Sequence, residues 1–149
     1  MRLHALALTL LALAATAPAS AKVIYVDGSQ CPGGDGTAWA TALCTIQQGI
    51  QAASIYDAVY VKAGTYVESV TMRDGVSLYG SFAGTESSPD MRDLKANETV
   101  IDVSSLTGSV RCVYMENVSG VVADGLTLRG AHGNVDGGGM ECLNANVSI

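Results

Sequence analysis

Short runs of alternating apolar and polar residues dominate the chain after its first twenty positions. Lys22 to Asp27 (Lys-Val-Ile-Tyr-Val-Asp) is rich in β-branched and aromatic residues and predicts a strand. Gly28 to Thr37, dense in Gly with one Pro, predicts a loop. The period then changes once. Thr45-Ile46-Gln47-Gln48 has the form of a capping box, and Ile46, Ile50 and Ala53 fall on one face of a helix of about two turns. So short a helix does not hold in water alone and must lie against something apolar. From Asp57 the strand period returns, in Ala58 to Val61, Ala63 to Tyr66, Ser69 to Met72 and Val76 to Gly80. Thr85 to Glu98 is polar, carries Pro89 and predicts a surface excursion. Strands resume at Thr99, over Ser109 to Met115 and over Val121 to Gly130. Asp74-Gly75, Asn117 to Gly120 and Asn144 to Asn146 supply the turns between.

Four apolar triplets recur at a nearly constant spacing. Val76-Ser77-Leu78, Val100-Ile101-Asp102, Leu126-Thr127-Leu128 and Val147-Ser148-Ile149 begin 24, 26 and 21 residues apart. A step of that size predicts a solenoid, each repeat one coil. A Greek-key sandwich also has closely spaced strands, but the recurrence of whole coils favours an all-β right-handed parallel β-helix. Leu78, Ile101 and Leu126 or Leu128 would then share one internal stack, and the short α-helix would cap the first coil. The expected organisation is a leader over 1–21, a strand, loop and capping helix over 22–57, and the first coils over 58–149, with the last coil running on past Ile149.

Residues 1–21 have the form of a secretory signal. Arg2 and His4 precede an Ala/Leu run from Ala5 to Ala17, and Ala19-Ser20-Ala21 offers a cleavage site after Ala21. The run is shorter than the ~20 apolar residues needed to span a bilayer. Removing 21 of 149 residues leaves 128, enough for one domain and not membrane-spanning. The expected location is secreted, extracellular or on the outer cell surface. The whole chain carries 8 basic and 14 acidic residues, a net charge of −6, which becomes −7 without Arg2. This balance excludes nucleic acid and anionic membranes as partners and disfavours acidic polysaccharides. Polysaccharides and cell-surface proteins remain. Export permits disulfides. Cys31 and Cys44 bracket the Gly-rich loop and are expected to pair, leaving Cys112 and Cys142 for each other, the alternative being an inert buried thiol at either. Zinc is unsupported, since the chain has no Cys-x-x-Cys and His132 is its one mature histidine.

Longer stretches carry a resemblance. Thr45-Ile46-Gln47 with Ala52-Ala53, followed by Ala58-Val59-Tyr60-Val61-Lys62-Ala63-Gly64-Thr65-Tyr66, resembles the opening of the pectin-lyase-like right-handed parallel β-helix superfamily. Tyr79-Gly80-Ser81-Phe82-Ala83-Gly84-Thr85-Glu86, Met91-Arg92-Asp93 and Ala96 to Asp102 are similar to exported bacterial repeat proteins related to polymorphic outer-membrane proteins. Asp124 to Gly130 and Gly137 to Cys142 match the same glycine-rich pattern. The resemblance runs from Lys22 to Ile149 and speaks to fold more than activity, because that scaffold hosts lyases, hydrolases, adhesins and plain surface proteins.

Catalysis on such a scaffold needs carboxylates and a base in one groove. Asp102, Asp124, Asp136, Glu116, Arg111, Arg129 and His132 are the candidates, and Asp102 with Asp124 could face one groove from successive coils. Asp124-Gly125 is also an ordinary turn pair, and Asp102 sits where a strand ends. Ala131-His132-Gly133 is not the Gly-His-Gly of polygalacturonase-like hydrolases. Gly33-Gly34-Asp35-Gly36 and Asp136-Gly137-Gly138-Gly139 continue neither as an EF-hand loop nor as a Walker A motif. Trp39, which could stack a sugar, is expected to pack with the capping helix. Asn97, Asn117 and Asn146 open Asn-x-Ser/Thr sequons, which matter only in a glycosylating host. The expectation is therefore an exported, glycan- or protein-contacting protein with no catalytic residue, cofactor or metal site in this segment. The alternatives are a polysaccharide lyase or glycosidase with its groove beyond Ile149, where calcium would enter, or an adhesin passenger of the autotransporter kind.

Overall fold

The computed structural model describes residues 20–134 and 138–149. Most of the leader and Asp136 lie outside these residues. Eleven strands and one α-helix are present among them. β1 (Val23–Val26), β2 (Ala58–Lys62), β5 (Ser77–Phe82), β8 (Val121–Asp124) and β11 (Val147–Ser148) form a five-stranded sheet in that order. β3 (Gly64–Tyr66), β6 (Thr99–Asp102) and β9 (Leu126–Arg129) form a second sheet. β4 (Val70–Thr71), β7 (Val113–Glu116) and β10 (Met140–Leu143) form a third. All strand pairs are parallel. One apolar core, including Val59, Val61, Leu78, Ile101, Val113 and Met115, is shared by the three sheets.

This arrangement overturns the expected all-β right-handed parallel β-helix. The chain forms three small parallel sheets and an α-helix, and the triplet spacing is not a coil period. Val76 to Leu78 and Val147 to Ile149 belong to the five-stranded sheet, whereas Val100 to Asp102 and Leu126 to Leu128 belong to the second. Leu78 therefore pairs with Val59 and Ala123, while Ile101 pairs with Tyr66 and Leu128. They do not share a stack. The offsets between paired strands are also uneven. Val23 pairs with Ala58, 35 residues on, Ala58 with Ser77, 19 on, and Ser77 with Val122, 45 on. Insertions of very different length separate partners, so no regular solenoid results.

The helix α1 (Ile46–Ala52) is where its local sequence places it. Thr45 Oγ1 accepts from the Gln48 amide at 3.2 Å, and the Gln48 side chain accepts from the Thr45 amide at 3.2 Å. Ile46 and Ile50 are fully buried. Gly49 allows close approach to the sheet, since a Cβ there would lie 2.7 Å from Val26 and 2.8 Å from Val59. Glu68 supplies a second cap, accepting from the amides of Ile46 at 2.8 Å and Gln47 at 3.0 Å. At the other end, Arg73 donates to the carbonyls of Gln51 and Ala53. The Gln47 side chain meets both backbone groups of Thr71, at 2.8 and 3.3 Å, and so covers the free edge of β4.

Val121 to Gly130 is two strands rather than the single one expected. At Gly125, φ is +70° and the chain turns from the first sheet into the second. A Cβ at Gly80 would lie 2.3 Å from the Gly125 carbonyl, so two glycines meet where the sheets join.

Candidate functional site

Side chains alternate across the five-stranded sheet, Ile24, Val26, Val59 and Val61 facing the core and Tyr25, Asp27, Tyr60 and Lys62 the outer face. Parallel register puts Tyr25 beside Tyr60 and Tyr60 beside Tyr79. The next row holds Asp27, Lys62 and Phe82. Phe82 reaches that row because the β2–β5 register shifts after Tyr60, and Ser81 stands at φ +66°. Its ring stacks on Tyr60 with centroids 4.4 Å apart.

Two loops close over this face. Trp39 packs edge-on to Tyr25 at 4.8 Å and tilted against Phe82 at 5.6 Å, and its indole donates to the Glu86 carbonyl at 2.9 Å. It thus lies on the face opposite α1, not against the capping helix as expected. Glu86 holds its own loop by accepting from the amides of Ala83, Gly84 and Thr85. Burial pushes its carboxyl up, but these amides outweigh that and keep it below the ordinary glutamate value. Arg92, from the excursion, inserts over Tyr79 and Phe82 at 5.3 and 5.4 Å and donates to the Gly80 carbonyl at 3.0 Å.

Beside the aromatic layer lies a cleft of about 410 Å³, floored by Asp27, Lys62 and Tyr66 and rimmed by Gly28, Ser29, Gly64 and Thr65. Asp27 is almost wholly buried. Its Oδ2 accepts from Lys62 Nζ at 2.8 Å, and its Oδ1 from the Ser29 amide at 2.9 Å and hydroxyl at 2.6 Å. Burial raises the Asp27 carboxyl, but the Lys62 ammonium and the Ser29 donors outweigh it, so the group stays ionised below its ordinary range. The Tyr66 hydroxyl donates to the Lys62 carbonyl at 2.9 Å and accepts from the Gly28 amide at 3.2 Å. Burial pushes it up to about 12. The cleft therefore holds one neutralised ion pair and a phenol that stays protonated. It offers hydrogen bonds to a ligand beside that pair.

Of the seven expected candidates Asp136 lies outside the described residues, and the other six are dispersed. Asp102 accepts from the Ser104 amide and hydroxyl and lies 3.7 Å from Arg129, its register partner. Asp124, in a different sheet, pairs with Arg92 at 2.6 Å. Asp102 and Asp124 share no groove, because Gly125 sends the chain from one sheet to another. Glu116 accepts from the Tyr114 hydroxyl at 2.8 Å, and Arg111 meets Glu141 at 2.5 Å. That ion pair lacks a well-directed hydrogen bond at Arg111 Nε and Glu141 Oε2. His132 Nδ1 lies 2.6 Å from the Gly130 carbonyl. Among the described residues no group of three or more His, Cys, Asp or Glu is close enough to hold a metal ion, and no helix is long and apolar enough to cross a membrane.

A disulfide joins Cys31 to Cys44 and ties down the loop that carries Ser29 and Trp39. The expected Cys112–Cys142 bridge is absent, and both thiols are free. In the β7–β10 register Cys142 stands opposite Met115, while Cys112 precedes β7, is buried and lies 3.3 Å from the Arg129 carbonyl. Asp27, Lys62 and Tyr66 were not singled out from sequence. The one trace of them is the polar alternation in Tyr-Val-Asp and Tyr-Val-Lys, whose pairing is set by register.

No family model, curated protein or solved structure matches the chain, so these comparisons identify neither a pectin-lyase-like protein nor any other family.

Proposed function

We propose that this is an exported extracellular or cell-surface protein that contacts a glycan through the Asp27–Lys62–Tyr66 cleft and leaves it chemically unchanged. One observation carries the reading: the cleft presents hydrogen-bonding groups, with its carboxylate and ammonium paired at 2.8 Å. Lys62 Nζ makes one protein hydrogen bond among the described residues and is a third exposed, so further N–H groups are free for a ligand. The exposed Ser29 and Thr65 hydroxyls lie on the rim. Turnover would need a proton donor and acceptor near neutral pH, and neither Asp27 nor Tyr66 titrates there. Export is supported by the leader pattern and is compatible with the Cys31–Cys44 disulfide.

Retention of the purified mature chain on immobilised polysaccharides tests the contact, with Thr65→Val as an exposed rim variant. Wild-type retention, weakened by the variant, is expected. Retention on none of the polysaccharides would end the glycan reading. Release of unsaturated uronides or reducing ends would end the non-catalytic one.

A further inference from the structure

Resting on that glycan reading, we infer that the cleft selects neutral saccharides over uronic acids, and that Asp27 sets this selectivity. Lys62 is the one cation lining the cleft, and a lone exposed ammonium would favour a sugar carboxylate. Here the ammonium lies 2.8 Å from a carboxylate that is itself almost wholly buried. The lining groups therefore carry no net positive charge. A uronate entering would meet the Asp27 carboxylate with Lys62 already neutralised. A hydroxyl can instead accept from the free N–H groups of Lys62 and donate to the Ser29 or Thr65 oxygen, with no charge to desolvate.

The Lys62 stem lies beside Gly84, where a Cβ would approach its Cδ to 3.0 Å, and its tip meets Asp27 Oδ2 at 2.8 Å. Removing the charge of Asp27 without changing its shape would uncover the cation. Asp27→Asn keeps the oxygen that accepts from Ser29 and leaves Lys62 facing the cleft as a net positive charge.

The experiment is calorimetric titration of the mature protein with hexagalacturonate, with the same oligomer reduced at C6 to the alcohol, and with neutral hexasaccharides of glucose, mannose and xylose. The wild type is expected to bind at least one neutral member and to bind hexagalacturonate at least roughly tenfold more weakly, the size of one charged hydrogen bond. Asp27→Asn is expected to narrow or reverse that ratio while retaining the wild-type circular dichroism spectrum. If the spectrum changes, Lys62→Met/Asp27→Leu, which removes both charges, serves instead and is expected to lower neutral binding and leave hexagalacturonate excluded. Equal or tighter wild-type binding of hexagalacturonate overturns this inference and leaves the glycan reading standing. Binding of none of the saccharides overturns both.

Discussion

The strands around β1 and the edge strands β9, β10 and β11 of the three sheets are built differently. Around β1, β2 and β5 the sheet is covered twice, by the shared core and α1 inside and by Trp39, Phe82 and Arg92 outside. The free edge of β1 is covered as well, because the 36–43 segment exchanges backbone hydrogen bonds with Tyr25 and Asp27. Around β9, β10 and β11 the strands are edge strands, mostly half-buried or exposed, with no second layer among the described residues. β1, β2 and β5 have four, five and six residues and each carries an aromatic, whereas β9, β10 and β11 have four, four and two and carry none. The connections differ as well. A 13-residue separation closed by a disulfide and the long polar excursion both fold back at one end, whereas short turns at Asn117 and Asn144 serve the other. A second layer is thus a property of the loops, and the cleft lies beside it.

That contrast predicts a gradient of mutational cost. Phe82→Ala empties a fully buried aromatic site shared by three rings and is expected to cost about 3–5 kcal/mol in denaturant unfolding. Leu128→Ala, half-buried in β9, is expected to cost under about 2 kcal/mol. Equal losses would dissolve the distinction between the ends. Replacing Cys31 and Cys44 by Ser is expected to cost up to about 3 kcal/mol, with faster proteolysis between them than anywhere after Val113. Arg92→Met keeps the stem over Tyr79 and Phe82 but loses the bonds to Gly80 and Asp124. A loss of about 2 kcal/mol is expected, read from the same unfolding curves.

Acid should act first on the double-layered end. The pKa values of Asp27 and Glu86 are held below their ordinary values in the folded chain. Their contribution is present above the unfolded-state pKa and is lost as pH falls through the lower folded one. Glu68 has the opposite sign. Burial raises its pKa, so its share is fully present at acid pH and is lost as pH rises through the folded value. Unfolding measured against pH should therefore decline more shallowly on the acid side in Asp27→Asn than in the wild type. An unchanged slope would remove Asp27 from the account. The smallest effect is expected at the other end, where Cys142 is exposed and Cys112 buried. Cys142→Ser should shift stability by less than about 0.5 kcal/mol. Under native conditions alkylation should label Cys142 alone, since burial pushes the Cys112 thiol up. Labelling of both at equal rates would contradict the placement of Cys112.

What could be read without coordinates was local. The capping box at Thr45, the apolar face of α1 and the alternation in β1 and β2 each depend on residues within a few positions, where helix and strand periodicity act directly. The Cys31–Cys44 bridge likewise closes a short loop. The triplet spacing misled because it measures distance along the chain. Sheet membership depends on how much chain is inserted between partners, 19 residues in one case and 45 in another. Tertiary structure alone decided that Val121 to Gly130 divides at Gly125, and that Asp102 and Asp124 part company there. It also decided that the β5 register shift brings Phe82 outward, that Arg92 returns from a polar excursion to cover it, and that Asp27 meets Lys62 from 35 residues away. Each of these is a pairing across sheets or loops, set by register and burial, which no window of neighbouring residues contains.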